Sequence, residues 1–382
     1  MIDFTRLASQ LGAFSAYQRE EQDRHAWRLE TACGCLTECA PGWEPLAARA
    51  REGARGPLRA VPLARPDRGA ATGPRPATVT VVATDGSQIF PDRHADPACY
   101  LLNVGRVALH YGTLDEPLLA AEPDFRSART DLDALADEDA AAPQASAEVV
   151  SALRDEKELE WLHRTAVEER RSGREVVALA DGTLIRWMLR GMKNRALEAT
   201  LLGRYIQILD RFQADGVPLA SYVSRPGSAE VINLLRLHRG EPDWEHGPQS
   251  LHGLLDRHLF ERVLEVGQRS ATFESRSEVL AQYGPHRVVA FYLRLPGEVA
   301  RVEMPRWAAD VPGWLDLVHA VLLDQVEKGA GYPVILQEAH ERAVVRAEER
   351  EMFFRLLQSR LRRDGLAAPA SAKSASKRVP RV

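Results

Sequence analysis

The apolar residues of this chain recur in two rhythms. Short runs rich in β-branched and aromatic residues predict strands at 78–85 (TVTVVATD), 99–111 (CYLLNVGRVALHY), 174–181 (REVVALAD) and 218–223 (PLASYV). Two more runs, HRVVAFYLRL and GEVARVEMP, meet around Pro296-Gly297 and predict a hairpin. Helical spacing predicts a helix over 4–30, with Phe4, Leu7, Leu11, Phe14 and Tyr17 on one face, and others over 147–171, 190–213, 229–239, 311–328 and 335–363. Strands 78–85 and 99–111 are expected to pair as neighbours, and the mixture of strands and helices predicts an α/β fold.

Three stretches break the rhythm. Residues 64–77 (ARPDRGAATGPRPA) read as a linker, and 113–146, acidic and broken by proline, as a solvated insertion. The basic Ala/Ser/Pro-rich end, 365–382, reads as disordered. The expected organisation is a helical region and linker over 1–77, a main domain over 78–350 carrying the insertion, the end of a C-terminal helix over 351–364, and the tail.

Composition narrows the class. A chain of 382 residues suits one large α/β domain with helical insertions, and 45% hydrophobic with 27% charged residues excludes a largely disordered chain. No run approaches the ~18 consecutive apolar residues of a membrane span, and the N-terminus lacks a signal-peptide pattern, so a cytoplasmic protein is expected. The net charge of −4 does not announce nucleic-acid binding, although a groove needs only local positive charge. Cys33, Cys35, Cys39 and Cys99 are too few for a disulfide scaffold, and the first three lack the paired CxxC or nearby histidine of a zinc site.

Two strands, VTVVATD and VVALAD, end in Asp85-Gly86-Ser87 and Asp181-Gly182-Thr183. Asp-Gly is a common turn dipeptide, but two matched strand ends in one sheet bring their carboxylates to one edge, where α/β proteins place ligands. Adjacent carboxylates repel unless a hard divalent cation lies between them. Helix 147–171 offers Glu156, Glu158 and Glu160, of which Glu158 shares a face with Trp161, Leu162 and Thr165 and is expected to point inward. Tyr332 precedes a proline, and His340 lies on the helix that follows; histidine serves as a metal ligand or as an acid/base.

In order, ATDGSQIFPDRH with YLLNVG, ALADGTLIRWML, LLDRHLFERVLEVGQRSATFES, FYLRLPGEVARVEMPRW and KGAGYPVILQEAHERAVV resemble the NurA nuclease family over about 78–350. The resemblance implies an RNase H-like core, a mixed central β-sheet flanked by helices, with N-terminal and C-terminal helical extensions. It implies a Mn2+ or Mg2+-dependent DNA nuclease, working 5′ to 3′ from ends and cutting single strands, with two ions in the site. The matching residues are Asp85, Glu158, Asp181 and His340 as metal ligands and Tyr332 close by. It further implies a homodimer docked on a hexameric HerA-type ATPase in double-strand break repair. The acidic insertion, the cysteine-bearing N-terminal region and the basic tail depart from the family pattern.

Backbone N–H groups after Asp85, with Ser87, and the side chains of Arg225, Arg269 and Ser270 are candidate phosphate contacts, which position a strand without reading its bases. The rival reading is a noncatalytic adaptor that keeps the fold and grips DNA or an ATPase. An enzyme acting on RNA is a third, although no feature of the sequence would read a 2′-hydroxyl.

Overall fold

A computed structural model describes residues 4–52, 56–90, 99–127, 147–190, 192, 194–247 and 249–366. Among the described residues the strands are β1 (Ala60–Pro62), β2 (Val79–Ile89), β3 (Cys99–Tyr111), β4 (Leu118–Ser127), β5 (Val176–Asp181), β6 (Leu219–Val223), β7 (Phe273–Ser275), β8 (Val288–Arg294) and β9 (Val299–Pro305). Contacts divide the chain into two units, one of residues 1–73 and 222–323, the other of 74–221 and 324–382.

The second unit holds a mixed sheet. β2 runs antiparallel to β3 and parallel to β5, and β3 runs antiparallel to β4. The inner strands read as nearly continuous apolar runs because helices cover both faces. Thr84 and Gly86 face helix 147–171, where the Thr84 hydroxyl donates to the carbonyl of Glu158 at 2.8 Å. Asp85 and Ser87 face helix Val334–Ala343, where the Ser87 hydroxyl donates to the carbonyl of Ala343. The strand–helix mixture expected from the sequence, a mixed sheet flanked by helices, is the one observed.

Two expectations are corrected here. β2 does not end at Asp85-Gly86, because the long β3 supplies partners up to Ile89↔Leu101, so Asp85 sits within the strand opposite Gly105. The stretch 113–146 is not wholly a solvated excursion, since 118–127 forms β4, the outermost strand on β3. Its Glu122, Pro123 and Asp124 hide the strand pattern while suiting an edge, where charge and proline discourage further pairing. Residues 128–146 and 367–382, the later part of the insertion and nearly all of the tail, lie outside the described residues.

Helix boundaries shift for local reasons. Helix 147–171 has the expected bounds. The helix expected from 190 starts at Arg195, where the Asn194 side chain accepts the Leu197 N–H at 3.1 Å. The helix expected over 335–363 is two, Val334–Ala343 and Ala347–Arg363, because Val344 turns extended and the Glu349 carboxylate takes the Arg346 N–H to restart the second.

In the first unit, β1, β7, β8 and β9 pair antiparallel, and helix Phe4–Cys39 packs on helices Glu230–Arg239 and Asp256–Val263. That first helix outruns its expected end because Ala32, Cys35, Leu36 and Cys39 continue a buried face into the core. The cysteines pack there as small apolar residues. The same unit holds a buried polar cluster. Asp256 accepts the N–H groups of Val231 and Ile232, capping helix 230–239, and the hydroxyl of Tyr292, while Arg301 pairs with Glu230 and Glu303 at 2.8 Å each. Arg301 and Glu303, from the stretch FYLRLPGEVARVEMPRW, are therefore internal scaffolding.

Candidate active site

The site forms in the second unit, where two helices approach the same short piece of sheet from opposite faces. Both approaches depend on glycine. A Cβ at Gly105 would lie within 2.7 Å of the Ala343 nitrogen and would also overlap the Ala339 carbonyl, so only glycine lets helix 334–343 come this close. That approach carries His340 to Asp85, paired with Gly105 in register: Nδ1 lies 2.7 Å from Asp85 Oδ2. A Cβ at Gly86 would overlap the Glu158 carboxylate and come within 2.8 Å of Arg154 Cγ, so the glycine after Asp85 makes room for helix 147–171.

Asp181 closes β5, and its Oδ1 accepts the hydroxyl of Tyr332 at 3.0 Å. Both aspartates also accept the N–H of the glycine that follows them, at 2.8 Å for Gly86 and 2.9 Å for Gly182, which orients each carboxylate. Tyr332 is held by the helix it precedes, whose start is pinned where Ile335 N–H donates to the buried Gln325, itself bonded to the Tyr111 hydroxyl.

Of the three glutamates, Glu158 lies against β2 and, with Asp181, Thr84, Asp155 and Arg186, lines one small cleft. Glu156 pairs with Arg204 at 2.7 Å and Glu160 with Lys157 at 2.6 Å, both away from the strand. Burial, reinforced by the charges of Asp155 and Asp85 and opposed by Arg154, pushes the Glu158 carboxyl up to about 8. Asp181 is open to solvent at its edge, yet the protein mass around its carboxyl raises its pKa; the charge of Asp85 adds to this, and Tyr332, Gly182 and His340 oppose it. The carboxylates thus feel one another's charge, as groups do where a cation would relieve them.

Among the described residues no three His, Cys, Asp or Glu side chains stand close enough together to hold an ion as they are. The donor set nevertheless fits a hard divalent cation: three carboxylates, of which burial raises the pKa of Glu158 and Asp181, and one imidazole. Glu158 Oε1 is also buried without a hydrogen-bond partner. In this arrangement Asp85 is turned to His340, Asp181 to Tyr332 and Glu158 to Arg154.

Sequence reasoning missed Arg154, Asp155 and Arg186. Asp155, buried, accepts Arg154 at 2.8 Å and Arg186 at 3.0 Å, and Arg154 also reaches Gln88 at 3.0 Å. The i,i+4 spacing of Arg154 and Glu158 was the available signal.

The candidate phosphate contacts are placed less favourably. The Ser87 hydroxyl is engaged by the Ala343 carbonyl. Ser270 is 1% exposed, its hydroxyl bonded to the Ala271 carbonyl and the Tyr292 N–H, and so it is withdrawn from any phosphate at the surface. Arg269 is paired with Asp316 at 2.9 Å and its side chain is only 13% exposed, so it too is committed within the first unit. Arg225 is exposed, at a φ of 45° that non-glycine residues rarely adopt.

A mixed sheet flanked by helices, with aspartates on two adjacent strands and acidic and imidazole groups brought in by the helices, defines an α/β protein of polar, carboxylate-lined site. The NurA domain family matches residues 79–345, and the chain belongs to that family. The fold is similar to the crystal structure of the NurA nuclease from Sulfolobus solfataricus, with 16% identity, a TM-score of 0.49, and coverage of 78% of this chain and 88% of that one. No curated protein matches the sequence.

Proposed function

We propose that the protein is a divalent-ion-dependent DNA nuclease, a phosphodiester hydrolase whose site is Asp85, Glu158, Asp181, Tyr332 and His340. The observation that carries this reading is the convergence of those residues, from two strands, two helices and a turn, on one end of the β2–β5 pair. Membership of the NurA family supports it.

Asp85, Glu158, Asp181 and His340 would hold Mn2+ or Mg2+, which would supply positive charge for a developing oxyanion and acidify a water. The chain's own residues do the rest. Asp85 fixes the His340 ring through Nδ1, leaving Nε2 as the one ring nitrogen that would meet either an ion or a proton. Tyr332, donating to Asp181, holds that carboxylate in one orientation and stands beside it as a hydroxyl for a phosphate oxygen or a water. Arg225 is the remaining exposed candidate for contact with the backbone of the strand.

The reading extends to 5′ to 3′ processing of DNA ends and cutting of single strands in double-strand break repair, by a homodimer working with a hexameric HerA-type ATPase. No helix among the described residues is long and apolar enough to cross a membrane. The test is a panel of linear duplex DNA, single-stranded DNA and RNA with Mn2+, Mg2+ or chelator, with and without the ATPase. Ion-dependent loss of DNA from 5′ ends supports the reading. DNA bound but never cut, with any ion and with the ATPase present, assigns the protein as an adaptor instead.

A further inference from the structure

Resting on the ion-dependent reading above, we propose that Arg154 is a resident counter-cation: it lies on Glu158 where a divalent ion would bind, and so sets how tightly that ion is taken. The guanidinium is gripped on one side only. Its Nη1 donates to Gln88 Oε1 at 3.0 Å and its Nη2 to Asp155 Oδ1 at 2.8 Å, both well-made hydrogen bonds. The Nε lies 2.9 Å from Glu158 Oε1, yet neither of these atoms has a hydrogen-bond partner. Towards Glu158 the contact is therefore one of charge without alignment, which another cation can replace. Towards Gln88 and Asp155 it is directional, and it keeps the positive charge in place.

Asp155 suits the role of anchor. It is 5% exposed, and its second oxygen takes Arg186 Nη1 at 3.0 Å, so both of its oxygens are engaged by arginines. The arrangement is built into the packing of helix 147–171 on β2. The space that a Cβ at Gly86 would fill is taken by the Glu158 carboxylate and by Arg154 Cγ together. A divalent ion arriving at Glu158 meets a guanidinium that stays within a few ångströms, held by two partners, and the two cations repel.

This predicts a direction that a merely structural ion pair does not. Removing the Arg154 charge should tighten the ion, whereas a structural pair, once lost, would loosen Glu158 and weaken binding. The experiment is calorimetric titration of Mn2+ into the full-length protein and into Asp85→Ala, Arg154→Gln, Arg154→Lys and Gln88→Ala, with thermal melts to confirm folding. We expect wild type to take up Mn2+ and Asp85→Ala to lose it. Arg154→Gln should bind roughly tenfold more tightly, the scale of one unit charge removed from a partly solvated site. Arg154→Lys should stay near wild type, and Gln88→Ala, which loosens the grip but keeps the charge, should tighten binding a few-fold. If wild type binds through Asp85 but Arg154→Gln binds equally or more weakly, the counter-cation is overturned while the ion site stands. If Arg154→Gln does not fold, unchanged affinity in Gln88→Ala overturns it. If wild type takes up no Mn2+, or Asp85→Ala binds as well, the ion-dependent reading fails and the counter-cation with it.

Discussion

His340 and Tyr332 each hold one aspartate through one polar atom, and the two contacts separate their roles. His340→Ala removes the group able to move a proton beside Asp85, and hydrolysis should fall about 10^2 to 10^4-fold, measured as initial rates on linear DNA. Tyr332→Phe deletes only the hydroxyl that orients Asp181, so a smaller loss of about ten- to a hundredfold is expected, with the fold unchanged by circular dichroism. The cysteines provide a contrast. Burial pushes the Cys39 thiol up to about 11, so at any pH well below that value it stays protonated. Because the thiolate is the reactive species, native protein at pH 8 should leave Cys39 unmodified by a thiol reagent, with modification rising only as pH approaches 11 or on unfolding.

At the level of elements, the site depends on how closely helices 147–171 and 334–343 lie on β2 and β3. Gly86→Ala drives a methyl group into Glu158 and Arg154, and should cost about 1–3 kcal/mol in chemical denaturation and displace Glu158 from its cleft. In the first unit, Asp256→Ala uncaps helix 230–239 and leaves Arg301 with less compensating charge; a loss of about 3–5 kcal/mol is expected by the same assay.

The sequence made these helices and most strands legible because their apolar periodicity is strong, as in 147–171 and the β8–β9 hairpin. It did not show that β2 runs on through Asp85-Gly86-Ser87, because that depends on pairing with a distant β3 rather than on local turn preference. β4 was hidden because an edge strand tolerates Glu122, Pro123 and Asp124. The candidate acidic residues, His340 and Tyr332 were legible from spacing and resemblance, and Glu158 from its helical face. Arg154 and Asp155 were not, since a charge run on a helix gives no sign of which members a glycine on a neighbouring strand will admit.

Over the whole molecule, the contact division interleaves segments that look contiguous in sequence. β1 at 60–62 joins β7 at 273–275, pairing the segment before the expected linker with one from deep within the expected main domain. The NurA family match over 79–345 likewise draws on both units, while Asp85, Glu158, Asp181, Tyr332 and His340 all fall in the second. On the proposed reading, a chain with a net charge of −4 would draw its hold on DNA from local features, with the proposed ions supplying positive charge at the scissile phosphate. The most direct test of the central claim is the initial rate of Mn2+-dependent digestion of end-labelled linear duplex DNA by wild type and by Asp85→Asn, a change of one oxygen to nitrogen within β2. The account predicts that wild type degrades the duplex and that Asp85→Asn is slower by at least about a hundredfold with the same melting temperature. Equal rates for the two proteins would contradict it.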